Sequence, residues 1–507
     1  MGRHCSIVLT RWSIDMVKRR AAGGAPPDEV PFVLICRDGS RRLVYACNPA
    51  AQAAGLRPGT PVTKAQALVQ GLVVQDADLA ADARDLQQLA IWFLQRIAPI
   101  VDVDGVDGIA IDITGTERLH GGEAGLVEEM VAKLAAKGIE ARAAIADTLG
   151  VAHALARFSR SPTVIAPRGH GASILANYPL ECLRLPGSMV DQLRVLGFER
   201  VRDLLDQPRA PLALRFGSEL TRRLDQISGE LVEPIAGVRP HDLVEVRRPF
   251  AEPIGAPETI AKYVGKLVTQ LVIDLEARGA GARRLDLICT RVDSVAQAVS
   301  VGMATPVRDP KRLTRLLCEK IETIEPGFGI ELMTIAAPLV EPIERRQIPS
   351  SLIEEAAPDV SDLIDTLINR VGDGSVYRLT PVESDVPERS VARIPPLSPE
   401  TGADWPAHWP RPARLLQRPE QVDVMALLPD HPPAHFVWRG VRRRVQRADG
   451  PERVFGEWWK RDAELAAVRD YFRVEDTSGE RYWIFRAGDG VDPETGSHRW
   501  FMHGVFG

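Results

Sequence analysis

Three aspartates, Asp102, Asp104 and Asp107, lie within the stretch VDVDGVDG. Carboxylates gathered at one end of a sheet are a common starting point for a divalent-cation site. A calcium loop of the EF-hand type is excluded. Counted from Asp102, the chain has Val106, Asp107 and Ile113 where such a loop needs an acid, a glycine and a final glutamate. Acidic residues that only decorate a hairpin turn are the alternative interpretation.

The residues around these aspartates have the alternating pattern of a β-hairpin. Two valines alternate with the first two aspartates, and three isoleucines follow in a second alternating run, from Ile109 to Ile113. The Asp-Gly pairs at 104–105 and 107–108 supply the positive φ that such a turn needs. We therefore expect the three carboxylates to lie near one end of a sheet.

Apolar segments on both sides of the hairpin predict the elements that position it. Buried strands are expected at Cys5–Thr10 and Pro31–Cys36, and amphipathic helices directly before and after the hairpin. A strand at Ala141–Ala146 and a helix at Leu149–Phe158 complete the pattern. This order predicts an α+β sandwich of the split βαβ type, with an insertion between about residues 21 and 75.

The composition is that of an ordinary globular protein, and a length of 507 residues predicts roughly three or four domains. The net charge of −5 gives no global nucleic-acid signature, so DNA contacts must come from local basic patches. Six cysteines without a CxxC pair favour reduced core residues of a cytosolic protein. No signal peptide and no apolar run of about 18 residues is present, so we expect no membrane span.

The remaining sequence predicts further domains. Residues 166–235 have an all-helical pattern, which includes a helix–hairpin–helix hinged at Pro186-Gly187. Arg247 to Phe250 reads as the start of a linker, followed by a second, smaller α+β domain. Eight prolines between Pro381 and Pro412 predict an extended connector. The tryptophan-rich remainder of the chain predicts a compact β-rich domain.

Three segments follow one another in an order found in a known family: ACNPAAQAAGLRPGTP at 46–61, DGIAIDIT at 107–114, and Arg248-Pro249-Phe250. Over about residues 5–345 the chain resembles the Y-family translesion DNA polymerases. Within that family it most resembles the polymerase-like accessory proteins of bacterial mutagenesis cassettes. The segments that carry this closer resemblance are DITGTERLHGGE (112–123), GPERVFGEWW (450–459) and WFMHGVFG (500–507).

The resemblance implies an α+β right hand with a ferredoxin-like palm, small fingers, a helical thumb with a helix–hairpin–helix and an α+β little finger. A small β-rich C-terminal domain follows. The implied boundaries are palm at 1–20 and 75–165, fingers at 21–74, thumb at 166–240, little finger at 241–345, a flexible proline-rich linker at 346–412 and the C-terminal domain at 413–507.

For the active site, the resemblance implies two metal ions held by an aspartate that ends the first strand and by an Asp-Glu pair on the hairpin. These three positions carry Thr10, Asp107 and Gly108. One ligand of three remains, so we expect no bound metal, no cofactor and a vestigial catalytic site. The alternative is that Asp102 or Asp104 replaces a ligand, and Mg²⁺ would then be the cofactor.

The positions implied for triphosphate binding are changed as well. Pro49, Gln52 and Ser161 stand where the family has charged or hydroxyl-bearing contacts, and none of the three carries a charge that could bind phosphate. The position of the family's aromatic gate falls at Asp15. The positions implied for metal binding, triphosphate binding and the aromatic gate are therefore all altered.

A polymerase-shaped scaffold would still contact DNA through backbone phosphates, with a salt-dependent and sequence-neutral affinity. The candidate contacts are the backbone amides around Gly187 and the side chains of Arg247, Arg248, Arg283 and Arg284. Plain helical packing at Gly187 and solvated surface charges at the arginines are the alternatives.

The resemblance further implies three protein partners: the sliding β clamp, a small RecA-like cassette protein and an error-prone replicative-type DNA polymerase that performs the synthesis. The family's clamp peptide lies just after the little finger, where the chain has Gln347, Ile348, Leu352 and Ile353. A plain linker is the alternative at this place, and Gln421–Met425 is a rival peptide.

In the C-terminal domain, residues 437–447 interleave a tryptophan with five arginines. This pattern indicates contact with DNA or a partner protein. The exposed face of a hairpin closed at Gly440 is the alternative.

Together these observations favour a non-catalytic adaptor in SOS-induced mutagenic translesion synthesis, located at the nucleoid in the bacterial cytoplasm. Such an adaptor would bind DNA and link the clamp to the error-prone polymerase. The alternatives are an active translesion polymerase with an atypical metal site, and a DNA-structure-binding protein with no link to the clamp.

Overall fold

The computed structural model describes residues 2–21, 24–343, 359–372, 374–399, 411–426, 431–457, 459–460, 464 and 466–506. The chain divides into two compact units, Met1–Val376 and Tyr377–Gly507. Among the described residues, no helix has both the length and the apolar character that crossing a lipid bilayer requires.

The first unit mixes helices and strands along its whole length. Its helices are α1 (Trp12–Arg20), α2 (Pro49–Ala53), α3 (Val62–Leu68), α4 (Leu79–Arg96), α5 (Gly122–Ala135), α6 (Leu149–Phe158), α7 (Gly171–Leu175), α8 (Gly187–Val195), α9 (Val201–Leu205), α10 (Arg209–Phe216), α11 (Ser218–Ser228), α12 (Pro257–Ala277), α13 (Pro310–Cys318) and α14 (Ser361–Val371). Its strands are β1 (His4–Leu9), β2 (Phe32–Asp38), β3 (Arg41–Cys47), β4 (Val73–Asp76), β5 (Ile100–Asp104), β6 (Gly108–Asp112), β7 (Ala141–Ala146), β8 (Thr163–Ile165), β9 (Val244–Ile254), β10 (Ala280–Arg291), β11 (Ala296–Val307) and β12 (Ile330–Pro342).

A five-stranded sheet contains the hairpin that the sequence predicts. Its strand order is β5-β6-β1-β7-β8, and β1 pairs antiparallel with both β6 and β7. Strands β1, β5, β6 and β7, with α4 and α5 as connections, have the βαββαβ order of the predicted ferredoxin-like arrangement. The hairpin itself is formed by β5 and β6, with Asp104 opposite Gly108.

Two apolar cores hold this sheet in place. On one face, Ile7 and Ile111 pack with Phe93 of α4 and Met130 of α5, and all four side chains are fully buried. On the other face, Val8 packs with α6 and the helices that follow it. Burial of such a side chain contributes about 1.5–3 kcal/mol, so the position of the hairpin is fixed without help from any ion.

A small separate sheet lies between α1 and α4 in the sequence, with strand order β3-β2-β4. The sequence predicts β2 and the short helices α2 and α3, but neither β3 nor β4. Strand β4 pairs parallel with β2, and it is four residues long and mostly exposed. So short a segment is too brief to give a periodic signal in the sequence.

A four-stranded antiparallel sheet, with order β11-β10-β12-β9, packs against α12 and α13. The interpretation of Arg247 to Phe250 as a linker is wrong, because these residues lie within β9, which pairs with β12. Pro249 argues against a strand in the sequence because it lacks an amide donor. An edge strand such as β9 tolerates that loss.

The other edge of this sheet, β11, is covered by the polar side of α14. The Asn369 side chain accepts a hydrogen bond from the amide of Gly302 (2.9 Å) and donates one to the Gly302 carbonyl (2.7 Å). Asp365 accepts a hydrogen bond from the amide of Ala304 (2.7 Å) and is paired with Arg312. Both α14 side chains are buried. These contacts satisfy backbone groups that an edge strand would otherwise leave open.

The apolar side of α14 faces solvent, whereas a surface helix usually packs its apolar side against the protein core. Leu363, Leu367 and Val371 predict the helix correctly, but all three side chains are exposed. The orientation of α14 is therefore decided by its hydrogen bonds to β11, because the polar side is the one that packs against the sheet.

The second unit is built from strands. They are β13 (Arg378–Pro381), β14 (Val391–Ile394), β15 (Arg414–Met425), β16 (His435–Trp438), β17 (Val441–Phe455), β18 (Val468–Asp476), β19 (Arg481–Ala487) and β20 (Trp500–Val505). Strands β15 to β20 form a closed barrel in sequence order. Phe436, Phe472, Tyr482 and Met502 are among the buried residues of its core. The predicted compact β-rich domain is thus a barrel, whose closure leaves its strands without open edges.

Replacing Asn369 with alanine tests whether α14 protects the edge of the sheet. The change removes both hydrogen bonds to Gly302, so we expect the first unit to lose about 1–3 kcal/mol of unfolding free energy. Amide hydrogen exchange, read by mass spectrometry, should accelerate in the peptide that contains Gly302 and Ala304. Leu363→Ser, on the exposed side of the same helix, is the control and should change stability by less than about 0.5 kcal/mol. Unchanged exchange in Asn369→Ala would refute the protective role.

Candidate functional site

The tip of the β5–β6 hairpin lies beside the end of the first strand. The backbone amide of Leu9 donates a 2.8 Å hydrogen bond to the carbonyl of Asp107. Gly105 has a φ of +72° in the turn, a conformation that glycine adopts without strain. The fold therefore brings Asp107 next to the strand end where Thr10 follows β1.

Asp102 and Asp104 lie on the same side of β5, two residues apart, but their contacts differ. Among the described residues, the Asp102 carboxylate has one hydrogen bond, from the amide of Val103 (2.8 Å). The Asp104 carboxylate lies 2.7 Å from Nδ1 of His153, a side chain on α6 that is buried. Asp104 is therefore held by another element of the fold, whereas Asp102 is held only by its own strand.

Arg157, one helical turn after His153, reaches both hairpin carboxylates. Its Nη2 donates a 2.9 Å hydrogen bond to Asp107, and its Nη1 lies 3.7 Å from the carboxylate of Asp104. A single guanidinium thus lies between two acidic side chains. The sequence interpretation did not identify His153 or Arg157. Their spacing of four residues, which places them on one face of α6, is the signal that could have found them.

Position 108 requires glycine because neighbouring atoms occupy the space that a side chain would need. A Cβ atom at this position would lie 2.7 Å from Nη2 of Arg157 and 2.6 Å from the carbonyl oxygen of Asp104. The positive φ predicted for Gly108 is not found, since Gly105 is the turn glycine that adopts it. No side chain fits at position 108 while Arg157 holds its present place, and the glutamate that the resemblance implies is therefore excluded there.

Burial and charge set the protonation of the Asp104–His153 pair. Burial opposes the ionisation of Asp104, but the hydrogen bond from His153 and the nearby positive charges outweigh it and lower the pKa of Asp104. Burial lowers the pKa of His153; the charge of Arg157 adds to this effect and Asp104 opposes it. At neutral pH a neutral imidazole therefore donates its Nδ1–H to an ionised carboxylate.

A second ion-pair cluster lies on the chain segments that follow α6. Glu233 accepts a 2.6 Å hydrogen bond from Arg184 and a 3.0 Å hydrogen bond from Arg223. Arg184 ends a 3₁₀ turn with a φ of +58°. Its charge also acts on the hairpin, since it is one of the groups that lower the pKa of Asp104.

The acids near the end of β1 are engaged by protein groups. Thr10 donates its hydroxyl to Glu140 (2.9 Å), and Glu140 also pairs with Arg11. Asp15 is buried and accepts a hydrogen bond from the amide of Glu140 (3.0 Å). Burial raises the pKa of Asp15. Asp15 therefore supports the backbone and does not face the hairpin tip as a free ligand.

The three positions implied for triphosphate binding lie on the surface. Pro49 is the first residue of α2, and Gln52 donates a 3.2 Å hydrogen bond to the carbonyl of Cys47. Ser161 donates its hydroxyl to the carbonyl of Thr163 (2.8 Å). None of these side chains offers a positive charge to a phosphate group.

The residues of the hairpin do not fit the pair of Mg²⁺ ions that the fold implies. An ion bound by Asp107 would have to share that carboxylate with the guanidinium of Arg157. Position 108 has no side-chain oxygen to offer, and Asp104 is already engaged by His153. Over the described part of the chain, no three His, Cys, Asp or Glu side chains are grouped as metal ligands.

Two of the predicted DNA-contact arginines are available at the surface. Arg247 is 43% exposed and pairs with Glu245, and the exposed Arg248 stacks over the ring of Tyr263 at 4.7 Å. Gly187 is the first residue of α8, where backbone amides lack partners within the helix.

The other two arginines are engaged within the four-stranded sheet. Arg284 is 11% exposed and donates a 2.9 Å hydrogen bond to Asp286, which is buried. Arg283 donates to the carbonyl of Met303 and to Glu341, both at 2.8 Å. A structural role is sufficient to account for both side chains.

The predicted clamp peptide, with Gln347, Ile348, Leu352 and Ile353, lies outside the described residues. The rival peptide Gln421–Met425 is part of β15, and one of its residues, Val422, lies in the barrel core. A segment fixed in a barrel is not free to dock as an extended peptide.

The arginine-rich segment 437–447 forms the β16–β17 hairpin, and Gly440 in its turn has a φ of +79°. Arg439 pairs with Glu420 (2.6 Å) and Arg443 with Asp476 (2.8 Å). The exposed-hairpin alternative is therefore confirmed as a description of the structure, and contact with DNA or a partner stays a prediction.

Models of known families match three parts of the chain. The impB/mucB/samB family matches residues 29–157, the impB/mucB/samB family C-terminal domain matches residues 244–350, and a domain of unknown function (DUF6504) matches residues 418–506. The first two matches confirm the predicted α+β fold of the Y-family type, and the third covers most of the β-rich barrel.

Curated relatives match over a larger share of the chain. The protein ImuB of Caulobacter vibrioides, in each of two strains, is 44% identical over 463 residues, which cover 89% of this chain and 100% of the relative. DNA polymerase IV of the same species is 29% identical over 193 residues, which cover 36% of this chain and 47% of the polymerase.

Similar solved structures include DinB from Sulfolobus solfataricus and the post-insertion binary complex of Dbh DNA polymerase. Each is 14% identical and covers 66% of this chain and 98% of its own, with TM-scores of 0.38 and 0.39.

Replacing Asp104 with asparagine tests the hairpin cluster. The change leaves His153 and Arg157 without their half-buried charged partner Asp104, so we expect a loss of about 1–3 kcal/mol of unfolding free energy at neutral pH. Asp102→Asn, two residues away on the same strand, is the matched control and should change stability by less than about 0.5 kcal/mol. Chemical denaturation of both variants provides the measurement. Equal losses in both variants would contradict the cluster's role.

The same comparison should depend on pH. The folded pKa of Asp104 lies below its unfolded value of about 3.9. Its contribution is therefore complete above that pH and is lost as the pH falls through the folded pKa. The difference between the wild type and Asp104→Asn should shrink over this acidic range.

Proposed function

The chain belongs to the ImuB proteins of the impB/mucB/samB family, and from this premise we propose that it is a non-catalytic adaptor in damage-induced mutagenic translesion DNA synthesis. In this role it binds DNA with a polymerase-shaped fold and links the sliding clamp to an error-prone replicative-type polymerase. That polymerase, and not this chain, forms the new phosphodiester bonds.

The observation that carries the proposal is the state of the hairpin carboxylates. Asp107 is paired with Arg157, and Asp104 is paired with His153. Nucleotidyl transfer of the two-metal type needs such carboxylates to bind cations that hold the triphosphate and activate the attacking hydroxyl. Carboxylates already engaged by protein groups, next to a glycine where the family has glutamate, support a site that has lost this chemistry.

DNA binding is the part of the polymerase function that the surface still supports. Arg247 and Arg248 are exposed on the edge strand β9, and backbone amides at the start of α8 can donate hydrogen bonds to a phosphate. Contacts of this kind neutralise backbone phosphates and read no sequence, so the affinity should depend strongly on salt. Arg283 and Arg284 are left out of the proposed DNA contact because their side chains serve the sheet itself.

The proposed protein partners are the sliding clamp, the error-prone polymerase and a small RecA-like protein. The segment with Gln347, Ile348, Leu352 and Ile353 is the proposed clamp peptide, since a glutamine with several apolar anchors suits a shallow protein groove. We place the protein in the bacterial cytoplasm at the nucleoid, where these partners and the DNA meet.

One primer–template duplex can test DNA binding and catalysis together. The full chain should bind this duplex in a fluorescence-anisotropy titration and should not extend the primer with Mg²⁺ or Mn²⁺. Arg247→Ala/Arg248→Ala should weaken binding, and the slope of log affinity against log salt should fall by roughly two.

Arg315→Ala is the control for the DNA-binding titration. Arg315 lies on α13, which packs on the helical side of the same sheet, and it is as exposed as Arg247, at 43%. The control should bind like the wild type. Template-dependent extension that Asp107→Ala abolishes would replace the proposal with an active polymerase.

Capture by the immobilised clamp tests the partner peptide. We expect the full chain to be retained and the double variant Gln347→Ala/Leu352→Ala to be lost, because the anchors of the peptide are removed. Gln421→Ala, in the rival peptide on the barrel, should be retained. Equal capture of the double variant would exclude this peptide, and no capture of the wild type would favour a DNA-binding protein without a clamp link.

A further inference from the structure

The fold implies a divalent-cation site at the hairpin, and the residues present contain a cation of their own. Arg157 contributes one positive charge between Asp104 and Asp107, at 3.7 Å and 2.9 Å from their carboxylate oxygens. We propose that this guanidinium is a built-in replacement for the catalytic metal, which holds the hairpin against α6 and prevents a divalent ion from binding there. The inference deepens the proposed non-catalytic function, on which it rests.

The steric evidence is independent of the charges. Gly108 leaves open the space that Arg157 enters, because a Cβ atom would come within 2.7 Å of its Nη2. A glutamate at this position and the guanidinium in its present place exclude each other. The backbone carbonyl oxygen of Asp104 would lie 2.6 Å from the same Cβ atom, so the hairpin as it stands holds a glycine here and leaves the adjacent space to the arginine.

The charged groups of the two ion-pair clusters are paired with one another. The three guanidinium groups of the two ion-pair clusters face three carboxylates. The three carboxylates are Asp104, Asp107 and Glu233, and the three cations are Arg157, Arg184 and Arg223. Each carboxylate of the two clusters therefore already has a guanidinium partner, which weakens its attraction for a divalent ion.

A divalent ion would also have to displace Arg157. The Arg157 side chain is 18% exposed, so a displaced guanidinium would be left largely buried beside a doubly charged ion. Repulsion between like charges and the loss of a partner both oppose that exchange. The ion pair is therefore a barrier to metal binding as well as a structural contact.

Titration with Mn²⁺, followed by electron paramagnetic resonance, tests the proposal on the full chain. The wild type should bind Mn²⁺ no better than Asp107→Asn. Arg157→Met keeps the length of the side chain and removes its charge, and it should increase the affinity for Mn²⁺ roughly tenfold or more, because a like charge no longer opposes the ion. Adding Asp107→Asn to Arg157→Met should abolish the gain.

Two results would overturn the inference. The first is a Mn²⁺ site in the wild type that Asp107→Asn removes. This comparison tests the proposal even if Arg157→Met fails to fold. The second is a folded Arg157→Met variant that gains no Mn²⁺ affinity. Both readouts are independent of DNA binding and clamp capture, so a failed adaptor function and a failed metal replacement remain distinguishable.

Discussion

The guanidinium of Arg157 is the interaction on which the charge balance at the tip of the β5–β6 hairpin depends. It supplies the positive charge for two carboxylates at the tip of a hairpin whose strands are buried in a sheet. Without a cation, acidic groups at this place would repel one another and would be costly to hold near a protein interior. A side chain on α6 supplies this charge from within the protein, which is why the proposed adaptor needs no metal ion at the hairpin.

The apolar cores of the sheet are separate from the hairpin tip, so the charged groups at the tip can differ without disturbing the cores. The sheet is held by apolar contacts on both faces, with Phe93 and Met130 on one side and Val8 on the other. These contacts do not depend on what the hairpin tip binds. Substitutions at Thr10 and Gly108 can thus remove catalytic ligands while the surfaces that could bind DNA keep their relative positions within the unit.

Elsewhere, hydrogen bonding outweighs hydrophobic burial in deciding how elements pack. In α14 the buried residues are Ser361, Asp365 and Asn369, whereas Leu363, Leu367 and Val371 are exposed. An exposed leucine costs less than an edge strand with unsatisfied backbone groups, because each buried unpaired amide or carbonyl loses about 1–3 kcal/mol. The four-stranded sheet of the first unit therefore ends in a polar helix, whereas strands β15 to β20 of the second unit have no open edge because they close into a barrel.

The sequence by itself determined the α+β fold, the hairpin and the β-rich C-terminal domain, and the loss of metal ligands at Thr10 and Gly108 stays a prediction from the resemblance. Strand alternation, helical periodicity and residue type are local properties, and they are visible in a short window of the chain. Strand β9 was concealed because a proline is acceptable only at a sheet edge, and edges are defined by the assembled sheet. Likewise, only the tertiary structure decided that Arg157, fifty residues beyond Asp107, pairs with the carboxylate of Asp107. Ion pairs join residues that are distant in the sequence, so a local sequence pattern does not indicate which acidic residue a given arginine contacts.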